Sequence, residues 1–199
     1  MARTIDFYFS FVSPYSYLAN SQLPAIAAKA GATIAYRPFR ILELMQMVGN
    51  RPTTIECKAK GRYSGNDLAR WSRRYGVPVV RNPQTAKIDW AELARGALLA
   101  ADQGKARTYV DAVFAGMWVR QTDFTNRAAY AALLDEAGFD GARFVAQLGE
   151  GDLASRLDKA TQDAAERGVF GAPTFFAGDE MFFGNDRLDF LAETLKAAA

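Results

Sequence analysis

The chain has 199 residues, half of them hydrophobic, and a net charge of +2; that is enough apolar material for one domain with an insertion or for two small ones. Both signs of charge are interspersed with no long basic run, which argues against a nucleic-acid partner. Histidine is absent and Cys57 is the single cysteine. Those two facts remove the Ser–His pairing of common hydrolases, most zinc sites, any internal disulfide and Cys-x-x-Cys redox chemistry. No metal site is expected. Neither a signal peptide nor a long apolar span is evident, so the expectation is a soluble cytoplasmic protein with no membrane partner.

The first stretch with a clear pattern is Ile5 to Val12, rich in β-branched and aromatic residues and read as a buried strand. Ser13 follows where a helix takes its N-cap, and Pro14 falls at the first helical position, where its missing N–H costs nothing. The positive helix end and its free N–H groups would then converge near the Ser13 hydroxyl, a place suited to an anion, a thiolate included. A Ser-Pro junction is also an ordinary cap. The helix runs from Pro14 to Ala30, with Tyr17, Leu18, Leu23, Ile26 and Ala27 on one face and a kink or break expected at Pro24. Thr33 to Phe39 is a second strand, completing a parallel βαβ unit.

From Ile41 the pattern turns helical. Ile41–Val48, Asn66–Tyr75, Trp90–Ala101, Thr108–Trp118, Asn126–Ala137, Ala142–Leu148 and Asp152–Arg167 each show apolar residues at helical spacing, separated by Gly or capping residues. Cys57 falls in a polar connection between the first two and reads as a bystander thiol. Strand character returns at Pro173–Phe176 and Met181–Phe183, joined by Gly178-Asp179 as a hairpin turn, and Asp186–Ala197 closes the chain as a helix. The order gives a sheet with two parallel strands and an antiparallel pair, helices on its faces.

Three motifs carry a family resemblance: Phe11-Val12-Ser13-Pro14-Tyr15-Ser16-Tyr17-Leu18-Ala19, Gly168-Val169-Phe170-Gly171-Ala172-Pro173-Thr174-Phe175, and Phe183-Gly184-Asn185-Asp186-Arg187-Leu188. In this order the chain resembles an α/β thioredoxin-like fold with an inserted all-helical domain, in the branch of 2-hydroxychromene-2-carboxylate isomerases and kappa-class glutathione transferases, relatives of DsbA-type oxidoreductases. The resemblance implies a thioredoxin-like part over 1–40 plus 168–199 and a helical insertion over 41–167. It places Ser13 and Ser16 where redox relatives carry cysteines. It implies a cis bond before Pro173, although a trans, strand-starting proline is the commoner case.

The implied activity is a glutathione-dependent isomerisation of 2-hydroxychromene-2-carboxylate or a similar aromatic intermediate. A kappa-like glutathione transferase and a non-catalytic thiol-peptide-binding module are the alternatives. Ser13 is the implied catalytic residue, holding the glutathione sulfur as thiolate rather than attacking itself, since no histidine partner exists. Ser13, Asn50, Lys60, Ala172, Pro173, Asn185 and Asp186 are the implied glutathione ligands; Asn185-Asp186 also reads as a helix cap, a use compatible with binding. Tyr15 and Trp118 are candidates for the wall of an aromatic substrate pocket, with Trp71, Phe114 and Tyr63 either core or lining. Arg40, Arg51, Arg81 and Asn82 are open candidates for gripping a substrate carboxylate. A homodimer is implied by the relatives.

Overall fold

The computed structural model describes residues 3–197, apart from the side chains at 54 and 55. Strand β1 (Arg3–Phe9) runs parallel to β2 (Ala32–Pro38), with helix α1 (Pro14–Lys29) crossing between them. The hairpin β3 (Thr174–Ala177) and β4 (Glu180–Phe183) pairs antiparallel onto the other side of β1, giving the order β2-β1-β3-β4. The two parallel strands and the antiparallel pair match the expectation, and Gly178 turns the hairpin at φ +63°. The first strand is shorter than its composition suggests. It stops at Phe9, and residues 10–13 form a turn closed by Ser13 N–H donating to Ser10 C=O at 3.0 Å.

Between the two halves of the sheet the described chain is helical: α2 (Ile41–Met47), α3 (Thr53–Glu56), α4 (Lys58–Tyr75), α5 (Trp90–Asp102), α6 (Ala106–Ala115), α7 (Arg127–Glu136), α8 (Gly141–Gln147) and α9 (Leu153–Glu166). The closing helix is α10 (Leu188–Ala197), preceded by a 3₁₀ turn, Asn185–Arg187. Two boundaries depart from the reading of the sequence. The helix expected through Trp118 ends at Ala115 and continues as a π-helical turn, Gly116–Arg120. The helix expected from Asn66 starts eight residues earlier, at Lys58, and the segment around Cys57 is a junction between α3 and α4. Pro24 does not break α1, which remains one element to Lys29.

Strand alternation divides the apolar residues of the sheet between two faces. Ile5, Phe7, Phe9 and Phe175 pack on one side with α1, α10 and the inner faces of α5 to α8. Tyr8 and Phe176 pack on the other with Phe39, Leu44 and Ala164. Phe7 lies opposite Phe175 in the register, their rings stacked at 5.1 Å. The larger cluster does not stop at the edge of the sheet. Phe9, Phe11, Phe114 and Tyr109 form a chain of ring contacts from β1 into α6, so strands and inserted helices share one core. Burying each such ring contributes about 1.5–3 kcal/mol. No helix of the described residues is long and apolar enough to cross a membrane.

Candidate active site

The turn between β1 and α1 brings Ser13 to the helix tip. Its backbone is extended (φ −88°, ψ 112°), Pro14 opens the helix, and the Ser13 Oγ accepts the N–H of Ser16 at 3.2 Å. The hydroxyl donates in turn to the carbonyl of Ala172 at 3.3 Å. Residues 159 apart in sequence thus meet at one point, and the Ala172–Pro173 bond is cis, as the resemblance implied. Ser16, the second serine of the motif, is fully buried and its Oγ has no partner among the described residues. The two serines are not equivalent: only Ser13 faces the Ala172 loop.

Other contacts tie that loop to its surroundings. The Pro173 carbonyl accepts the N–H of Gly184 at 2.9 Å, which puts the Asn185–Arg187 turn beside it. Gly184 has φ +103°, and a Cβ there would come within 2.4 Å of Asp186 Oδ1, so the turn into the last helix requires glycine. Asn185 is buried; its carbonyl accepts the Tyr75 hydroxyl at 3.0 Å, while its Nδ2 finds no acceptor among the described residues. Asp186 is exposed and paired with Arg187 at 2.7 Å. Asn50 donates its Nδ2 to Phe170 C=O at 2.7 Å and accepts Arg51 N–H on Oδ1; it clasps the loop carrying Pro173. Lys60 is exposed and reaches Thr53 Oγ1 at 2.6 Å. Phe170 and Phe183, named in the motifs but given no role, pack on each other at 4.5 Å beside Gly171, where a Cβ would meet the Phe183 ring at 2.9 Å.

The aromatic candidates divide. Tyr15, in the first turn of α1, donates its hydroxyl to Asp67 Oδ2 at 2.9 Å across to α4. Burial, with a smaller contribution from the neighbouring Asp67, pushes its phenol up to about 12, so it stays protonated at neutral pH. Trp118, the other pocket-wall candidate, lies deeper. It is buried in the core, and its indole N–H donates to Phe11 C=O at 3.0 Å, holding the turn that carries Ser13. Aromatics at helical spacing serve core and lining equally well, which is why spacing alone did not separate them. Trp71 is half-buried against Tyr75, and Tyr63 is exposed. Arg40 pairs with Glu43 and Asp158 while its buried Nε finds no partner among the described residues, and buried Asn82 donates to Thr122 C=O and accepts Gln84 N–H. A separate concavity of about 600 Å³ lies between α1 and α6, lined by Tyr17, Asn20, Pro24, Arg107, Asp111 and Phe114. None of the implied glutathione ligands lines it.

A serine-tipped helix beside Ala172–Pro173, on a sheet of order β2-β1-β3-β4, defines a thioredoxin-like protein without the redox cysteines. Residues 4–196 match the family model of the DSBA-like thioredoxin domain. The chain is 38% identical over 200 residues to a 2-hydroxychromene-2-carboxylate isomerase of Sphingobium xenophagum, covering 98% of this chain and 99% of that one. It is 35% identical to one from Pseudomonas putida, over 96% and 93% of the two chains. A solved structure of a 2-hydroxychromene-2-carboxylate isomerase superposes with a TM-score of 0.89 at 34% identity, covering 98% of this chain and 95% of that one. The chain belongs to the 2-hydroxychromene-2-carboxylate isomerase family. Human glutathione S-transferase kappa 1 is a more distant relative, 23% identical over 208 residues.

Proposed function

We propose that the protein is a glutathione-dependent cis–trans isomerase of 2-hydroxychromene-2-carboxylate or a similar aromatic-degradation intermediate. The observation that carries this reading is the Ser13 hydroxyl, held at a helix tip against the Ala172 carbonyl in a chain with no histidine and no second cysteine. The residues around it fit the tripeptide. Asn185 Nδ2 is a buried donor without an acceptor among the described residues, of the kind a γ-glutamyl carboxylate satisfies. Asp186 would take the ammonium, Lys60 the glycine carboxylate, and the backbone of Ala172 the cysteinyl peptide groups. Asn50 would keep the Phe170–Pro173 loop in place.

When bound, glutathione supplies a thiolate able to add to a conjugated double bond and leave again. Ser13 turns its O–H from the Ala172 carbonyl onto the sulfur, and the positive end of α1 favours the same charge. That rotation releases the Ala172 carbonyl to accept a peptide N–H. Tyr15 keeps its proton and fastens α4 across the tip. With no histidine in the chain, its contribution is proximity and charge stabilisation.

Reduced glutathione should raise the thermal midpoint of the protein, because a ligand bound only by the folded state must do so. Replacing Ser13 with Ala should raise the pKa of the bound thiol, seen in its thiolate absorbance titration, and lower kcat by about 10²-fold. An unshifted titration removes the activation role. Accumulation of a stable conjugate would make the protein a kappa-like transferase instead, and binding without turnover of any electrophile a thiol-peptide-binding module.

A further inference from the structure

We propose that α4 is an electrostatic guide that selects anionic substrates for the Ser13 cleft, acting through Arg62, Arg70, Arg73 and Arg74. The inference rests on the glutathione reading above and adds a determinant of substrate charge to it. Helix α4 carries six basic residues and one acid, Asp67. That is a net +5 in a chain whose total is +2, so the rest of the molecule is net negative.

The four arginines are exposed, and the ion pairs found among the described residues all involve other side chains. Arg70 lies 5.9 Å from the Tyr63 ring centre and Arg74 5.4 Å from that of Trp71. Such contacts use the face of the guanidinium and none of its N–H groups. The helix is pinned at the cleft from both sides, by Tyr15 on Asp67 and by Tyr75 on the Asn185 carbonyl. Its single carboxylate is therefore engaged at the pin, while no ion pair among the described residues engages the four guanidinium groups; at the C-terminal end the carboxylates of Asp186 and Asp189 act on Tyr75 beside Arg74.

An excess of one sign beside a cleft raises the local concentration of opposite charge and speeds capture by 10- to 10³-fold. Glutathione and an aromatic carboxylate are both anions. An uncharged electrophile gains nothing from the field.

The test replaces Arg62, Arg70, Arg73 and Arg74 together with Gln, and in parallel with Lys, which keeps the charge. With glutathione saturating, kcat/KM for 2-hydroxychromene-2-carboxylate should fall about 10-fold in the Gln variant at low salt, with kcat changed less than about twofold. The deficit should vanish at about 0.5 M salt, where the Debye length is about 4 Å. Turnover of an uncharged electrophile should be unaffected, and the Lys variant should match the parent. The calorimetric dissociation constant of glutathione should weaken in the same variant and the same salt range.

A deficit shared by the uncharged substrate, one that survives high salt, a Lys variant as poor as the Gln variant, or no deficit at all would each overturn the guide. If glutathione stabilises the parent and any of these holds, the guide alone is wrong. If glutathione neither stabilises nor binds the parent, both readings are wrong.

Discussion

Two helices border the Ser13 cleft, and they are held in opposite ways. Helix α1 buries seven residues, among them Leu18, Leu23 and Ala27, and its tip is further pinned by the Ser13 and Trp118 hydrogen bonds. Helix α4 is longer and buries none. Its half-buried stripe, including Ser64, Asp67, Leu68, Trp71 and Tyr75, is fastened by two phenol hydroxyls. The difference separates two jobs. A group that stabilises charge must not move, so Ser13 sits at the tip of the more deeply buried of the two helices. A surface that meets incoming anions must be solvated, so the cations sit on the other.

Truncating the two anchorages to the same degree exposes this contrast most strongly. Leu23 is fully buried against the sheet, and Leu23→Ala should cost about 3 kcal/mol in chemical denaturation. Leu68 is half-exposed at the margin of the same core, and Leu68→Ala should cost about 1 kcal/mol or less. Equal costs would mean that α4 is as firmly embedded as α1. Trp118→Phe comes next. It removes the donor to Phe11 C=O, leaving a buried carbonyl unpaired, together with the five-membered ring of a buried indole, and should cost about 2–3 kcal/mol. It should also lower glutathione-dependent activity, because the turn it holds carries Ser13. Unchanged activity with lowered stability would show that the tip is positioned by α1 alone.

The same contrast explains which parts of the molecule were legible in the sequence. Strands and helices that bury a stripe wrote it into the chain: Ile5, Phe7 and Phe9 alternate, and Leu188, Leu191 and Leu195 recur along α10. Helix α4 from Lys58 to Gly65 has no stripe to write and contains Gly61 and Gly65, so its first eight residues read as a polar connection. Val12 is as apolar as a strand residue, yet the chain has already turned at Ser10 to present Ser13; a tight turn closed by one backbone hydrogen bond leaves no periodic trace. Pro24 was expected to interrupt α1, and the packing of Leu23 and Ala27 on either side of it carries the helix through. At the site, Ser13, Ala172–Pro173 and Asn185 were named from motifs. The phenol fastenings of Tyr15 and Tyr75 were not foreseen, since their partners lie 52 and 110 residues away.

A polar fastening elsewhere in the fold shows what such contacts achieve when partly buried. Asp6 on β1 accepts from Arg37 Nε and Arg167 Nη1, each at 2.8 Å, and Arg167 lies 4.0 Å above the Phe176 ring. Burial alone would raise the Asp6 carboxyl, but the two arginine hydrogen bonds outweigh it and hold the group below the ordinary carboxylate range. A carboxyl lowered in the folded state stabilises the fold above its unfolded pKa, near 3.9, and that contribution is lost as pH falls through the lower folded value. Asp6→Asn should therefore cost about 1–2 kcal/mol at pH 7. Its stability should also fall less steeply than the parent's below about pH 4. A parallel pair of curves would show that the cluster is held by the Phe176 stacking and not by charge.

The smallest expected effect tests the weakest fastening. Tyr15→Phe keeps the ring on α1 and removes the hydroxyl that reaches Asp67. Asp67 is only half-buried and can be rehydrated once its donor is gone, so the global cost should be about 0.5–1 kcal/mol. The informative readout is local. Amide hydrogen exchange should quicken along Lys58–Tyr75 while α1 keeps its protection, because α1 is anchored by burial and α4 by the bond just removed. Faster exchange in both helices would mean that they open as one unit. The cation-bearing helix would then be part of the rigid frame around Ser13, and its charge could not be varied without disturbing the hydroxyl that the chemistry depends on.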